Sequence, residues 1–178
     1  LFSVVSRPEV VSLAGGMPNL KDLPLDKLAA SAEKLIRNHG AQAMQYGSGQ
    51  GWEVLRERIT EVMSYDGIVG ADPDDVVVTT GSQQALDLVT ELFVNPGDVI
   101  LAEAPSYVGA LGVFRARQAD IVHVPMDEHG IIPEALEETI RSVRASGRTI
   151  KFIYIIPNYH NPAGVTLSAE RRPIIAEI

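Results

Sequence analysis

At 178 residues, with 46% hydrophobic and 21% charged content, the chain has the makeup of one soluble globular domain. Its net charge of −8 argues against a basic nucleic-acid surface, and the lack of cysteine excludes disulfides and thiolate chemistry. No run reaches the roughly 18 apolar residues of a bilayer span, and Leu1–Arg7 lacks the pattern of a signal peptide. A cysteine-free chain suits the cytoplasm, the expected location. The chain has no initiator Met and stops at Ile178 in a helix just begun, so a piece of a longer protein, cut at both ends, is expected.

Residues 1–23 read as irregular, with Gly15, Gly16 and Pro18 marking a turn. Pro24 to Gly40 is predicted as a helix, with Leu25, Leu28, Ala29, Ala32, Leu35 and Ile36 on one face and Gly40 as its stop. The glycine-rich segment Met44–Gly51 is neither a dinucleotide fingerprint nor a P-loop, because no strand precedes it and no Gly-Lys-Ser/Thr follows. Trp52, Leu55, Ile59, Val62 and Met63 give a second helical face, with Trp52 expected in the core. Val76–Thr80 is predicted as a short buried strand. It feeds a Gly81-Ser82-Gln83 turn and an amphipathic helix that ends at Asn95-Pro96-Gly97.

The alternation then continues. Val99–Ala102 reads as a strand, Glu103–Tyr107 as a turn and Val108–Gln118 as a helix. Ile121–Val124 follows as a strand and Pro133–Ser146 as a helix. Ile150–Ile156 is an almost unbroken apolar run, expected to be a strand buried on both faces. Strands alternating with helices imply βαβ units and a mostly parallel sheet. Ser168 resembles a helix cap, which would put Pro173 beyond the first turn, where it costs a hydrogen bond.

Three strands therefore end in polar turns: at Ser82, at Tyr107, and over Asn158–Gly164. In a doubly wound sheet such turns line one crevice at the carboxyl ends of the strands. Gly81 and Ser82 at a helix N-terminus offer a phosphate cradle, though Ser82 serves equally well as a plain cap. The four histidines are isolated in sequence; only His160 lies near the crevice, and a lone histidine is more often structural than catalytic. The residues alone point to a phosphate-bearing aromatic ligand.

Five segments in order carry a resemblance: Ser12–Asn19, Gln45-Tyr46-Gly47, Thr80–Leu86, Glu103–Tyr107 and Pro157–Gly164. Together they resemble class I/II aminotransferases of PLP fold type I, nearest the 2-aminoadipate/kynurenine aminotransferase branch. The resemblance implies an α/β fold, the three-layer, mostly parallel sheet of the large domain. Here that sheet would be incomplete, with residues 1–40 as N-terminal arm and small-domain helix and 41–178 as the first part of the large domain. It implies pyridoxal 5'-phosphate as cofactor and amino acid and 2-oxo acid as substrates. Gly81, Ser82 and Gln83 would hold the phosphate, Tyr107 would stack on the ring, and Asn161 would bond its phenolic oxygen. Tyr46 would reach the neighbouring subunit's phosphate in a homodimer, and Gly15 and Gly16 would approach the substrate carboxylate. Asn161-Pro162 would be a cis bond.

The family's Schiff-base lysine and the arginine that clamps the substrate carboxylate are expected downstream of Ile178. Lys21, Lys27, Lys34 and Lys151 do not match that lysine, so no catalytic residue is assigned within this chain. The alternative is the effector domain of a MocR-type regulator, for which a basic winged helix-turn-helix would precede Leu1.

Overall fold

The computed structural model describes Arg7, residues 9–11 and residues 19–178. The chain divides into two compact units, Leu1–Thr79 and Thr80–Ile178. No helix among the described residues is long and apolar enough to cross a membrane.

In the first unit, α1 spans Leu25–Ala43 and α2 spans Glu53–Tyr65, followed by a 3-10 turn at Pro73–Asp75. Helix α1 runs past Gly40 to Ala43, with a break at His39, where φ is −137°. The expected stop at Gly40 is therefore corrected to Met44, because the chain bends at His39 and resumes helical bonding. The apolar face of α1 has the predicted spacing, yet the helix buries no residue. Trp52 is also corrected: it is 53% exposed rather than in the core. The residue that anchors α2 is Arg56, buried with its guanidinium on the Pro73 carbonyl at 2.7 Å and on Asp74 at 2.9 Å.

Val76–Thr80 does not form a strand. Its β-branched residues have the propensity, but a strand needs a ladder partner, and none of the strands of the sheet pairs with it. Val78 N–H donates to the Gln50 carbonyl at 2.8 Å, and Val77 is 54% exposed.

The second unit carries the sheet. Its elements are α3 (Gly81–Phe93), β1 (Val99–Ala104), α4 (Val108–Ala116), β2 (Asp120–Asp127) and β3 (Gly130–Ile131). There follow α5 (Pro133–Ala145), β4 (Ile150–Tyr154) and α6 (Arg171–Glu177). The strand order is β3-β2-β1-β4. β1 pairs in parallel with both β2 and β4, as the βαβ alternation requires, and β3 adds a short antiparallel edge to β2. Glu103 and Ala104 belong to β1 rather than to the turn after it.

Alternation along β1 sends Val99 and Leu101 to one face and Ile100 to the other. The first face packs with Val124, Ile131, Leu136, Val143 and Leu167, under α5. The second packs with Ala110 and Phe114 of α4. This gives the expected three layers. β4 is corrected from fully buried to half-buried: it lies at the edge of the sheet, with one ladder neighbour.

Pro173 is likewise corrected. Helix α6 begins at Arg171, so Pro173 falls in the first turn, where its missing N–H has no intrahelical acceptor to lose. Arg171 in the same turn grips Asp127 at the end of β2 with two bonds, of 2.7 and 2.8 Å. Arg171, with the His129 amide, lowers the Asp127 carboxyl from 3.8 to about 2. The stabilisation from this depressed carboxylate is fully present above a pH of about 4 and is lost as pH falls towards 2. Asp127→Asn in the full-length protein should therefore lower the urea midpoint at neutral pH and flatten its decline over that acid window. Two parallel pH curves would exclude the ion pair as the cause.

Candidate functional site

The carboxyl ends of β1 and β4 lie side by side because the two strands are parallel, with Leu101 opposite Ile153 and Ala102 opposite Tyr154. The turn at Pro105–Tyr107 and the segment from Ile155 onward thus leave the same end of the sheet. Helix α3 starts there too: Gln83 Nε2 donates to the Gly109 carbonyl at 3.2 Å, tying the first turn of α3 to the first turn of α4.

Two of the expected residues share a cavity. Ser82 and Tyr107 line a space of about 640 Å³ that runs between α3 and β4 past Leu86, Phe152 and Tyr154 to Lys151. Its walls are largely apolar, and burial raises the Tyr154 phenol, with smaller contributions from Tyr107 and Glu103. Lys151 is engaged by Asp98 at 3.3 Å.

The N-cap residue of α3 is Thr80, whose own side chain makes no capping bond, and Ser82 stands second in the helix. Gly81 enters the helix at φ +75°, a conformation glycine adopts without strain. Thr80 N–H donates to Gln84 Oε1 at 2.5 Å, which closes the turn from the side of the helix. The Tyr107 ring lies over the start of α4, within 2.5 Å of where a Cβ on Gly109 would sit. Only glycine leaves room for the ring there. Beside it, the Ser106 hydroxyl is buried without a hydrogen-bond partner.

Asn161 does not line this cavity; it is exposed in the Asn158–Gly164 turn at the same end of the sheet. Its bond to Pro162 is cis, as the resemblance implied, and Ala104-Pro105 is a second cis bond. Tyr46 is fully exposed in the first unit. Gly15 and Gly16 lie outside the described residues.

What the sequence reading missed is Glu103. Its side chain is buried, 3.0 Å from Nε2 of the buried His160, and it accepts the Ile156 N–H at 2.8 Å. Burial raises the Glu103 carboxyl, while the Ile156 amide and His160 pull it back. The signal was present: one acid within the apolar run Val99–Ala104 is out of place unless it is paired.

The aminotransferase class I and II family model matches residues 8–178, and the chain belongs to that family. It is 37% identical over its whole length to aromatic-amino-acid aminotransferase 1 of Thermococcus litoralis, of which it covers 43%. Over 92% of its length it is 38% identical to the 2-aminoadipate transaminase of Thermus thermophilus, covering 38% of that protein. Among solved structures, the kynurenine aminotransferase of Pyrococcus horikoshii, in complex with PMP, superposes with a TM-score of 0.89 at 35% identity. That match covers 99% of this chain and 43% of the other. The chain thus spans less than half the length of the relatives it matches.

Proposed function

We propose that the full-length protein is a pyridoxal phosphate-dependent aminotransferase, moving an amino group between an amino acid and a 2-oxo acid in the cytoplasm. The observation that carries this is the pairing of a helix start at Ser82 with an aromatic ring at Tyr107 on one apolar-walled cavity. A phosphate needs backbone amides and a hydroxyl at the positive end of a helix, and a pyridine ring needs an apolar slot with an aromatic platform. Both are within the same space, so the residues fit the cofactor.

Gly81, Ser82 and Gln83 would take the phosphate, and Tyr107 would stack on the ring. Asn161, at the neighbouring turn, would donate to the phenolic oxygen. Bound pyridoxal phosphate supplies an electron sink that makes the Cα proton of an amino acid labile. The residues of this chain hold and orient it. They exclude water from its ring with Leu86 and Tyr107 and leave the proton transfer to a lysine of the full-length protein. Tyr46, whose side chain is fully exposed, would serve a partner's phosphate in a homodimer. Gly15 and Gly16 would flank the substrate carboxylate. Residues 1–40 would belong to a small domain, and residues 41–178 to the large one.

The test is direct. Full-length protein loaded with pyridoxal phosphate should show a visible absorption band that changes on adding an amino acid, with release of the matching keto acid. A loaded protein whose band ignores every amino acid offered would refute the enzyme.

A further inference from the structure

Asn161 owes its position to a turn whose fastening lies out of sight. The backbone closes that turn three times: Leu167 N to Pro157 O at 2.8 Å, His160 N to Val165 O at 2.8 Å, and Gly164 N to His160 O at 2.6 Å. Those bonds shape the turn without attaching it to the sheet. Arg172 ties the turn to α6 through Asn158 Oδ1 at 2.6 Å, and the tie to β1 is His160, 2% exposed, whose ring sits between two groups. Nδ1 accepts the Ala163 N–H at 3.3 Å, which leaves the ring proton on Nε2. Nε2 lies 3.0 Å from Glu103 Oε2, with its N–H angled off the line to the oxygen. The same oxygen takes the Ile156 amide at 2.8 Å, where the chain leaves β4. One carboxylate on β1 therefore holds both the exit of β4 and the residue next to Asn161.

We propose that Glu103, acting through His160, is a positioning residue that aims Asn161 at the phenolic oxygen of the cofactor; this rests on the cofactor reading above. A buried acid facing a buried imidazole is a costly way to pin a turn, and an apolar pair would pack as well. What the polar pair adds is direction. It fixes the tautomer and rotation of the ring that precedes Asn161, and so the line along which the Asn161 amide points.

The first arm of the test needs no cofactor. In the cofactor-free full-length protein, Glu103→Gln should speed amide hydrogen exchange at Ala163 and Gly164 roughly tenfold. Protection at Ile100 and Leu101 should be retained. Unchanged exchange at the turn would overturn the latch, whatever the protein binds. Should Glu103→Gln loosen Ile100 and Leu101 as well, His160→Gln is read in the same way.

The second arm uses the loaded protein. An amide donating to the phenolic oxygen favours its ionised form. Asn161→Ala should therefore raise the pH midpoint of the visible band by about one unit. Glu103→Gln should raise it in the same direction, and the double variant should add little to Asn161→Ala alone. Additive shifts, or no shift in Glu103→Gln, would overturn the proposal. Loss of the band in the unmodified protein would instead defeat the cofactor reading and leave the first arm to decide the latch.

Discussion

Replacing Phe114 with alanine is expected to lower the stability of the sheet-bearing unit by about 3–5 kcal/mol, the range for emptying a buried aromatic site. Phe114 is fully buried on α4 beneath Ile100. It meets Phe152 edge-on at 5.8 Å and 71°, and Tyr154 at 5.5 Å and 76°. Its ring is thus what joins α4 to the edge strand β4, and the aromatic geometry adds to the area it buries. The cavity left behind would open into the space already beside β4, so collapse around it is limited. Urea unfolding of the full-length protein, followed at the sheet, measures the loss. A shift worth less than about 1 kcal/mol would mean that the wall formed by Phe152 and Tyr154 does not depend on this ring.

The second large effect concerns the cofactor. Ser82→Ala should weaken pyridoxal phosphate binding by about 1.5–3 kcal/mol, the value of one hydrogen bond to a charged group, or roughly 10- to 150-fold. Ser82→Asp should do more, because a carboxylate would stand where the helix start favours the phosphate. Pyridoxal without its phosphate supplies the control. Its binding should be nearly indifferent to Ser82→Ala, since no charge is held there. Equal losses for both ligands would place Ser82 against the ring and end the cradle reading.

Much of the sheet was legible because its signals are local. Apolar β-branched runs at Val99, Ile121 and Ile150, each separated by an amphipathic stretch, leave a parallel α/β arrangement as the simplest solution. Local signals also misled. Val76–Thr80 has the residues of a strand, but strand formation depends on a neighbour that propensity does not report. The spacing of Leu25, Leu28, Leu35 and Ile36 shows that a face of α1 prefers to be covered, and says nothing of what covers it. Trp52 was placed inside by its size and spacing, whereas the anchor of that helix is Arg56, whose partners at Pro73 and Asp74 lie far along the chain.

The candidate site was legible in the same uneven way. Ser82 and Tyr107 could be placed because each sits directly after an apolar segment. The Glu103–His160 pairing spans two elements that are separate in sequence, so neither residue announced the other. Pro173 became unremarkable once the start of α6 was seen at Arg171.

The two packed layers share the strands of one sheet, and β1 is the most deeply buried of its parallel strands. Val99 and Leu101 belong to the layer under α5, and Ile100, between them, belongs to the layer under α4. No side chain crosses from one layer to the other through β1, yet every displacement of β1 is felt by both. The layers therefore behave as one cooperative folding unit rather than two, and α4 and α5 cannot detach independently without exposing opposite faces of the same backbone. The end of that strand carries Glu103, so the acid facing His160 is borne by the part of the unit with least freedom to drift.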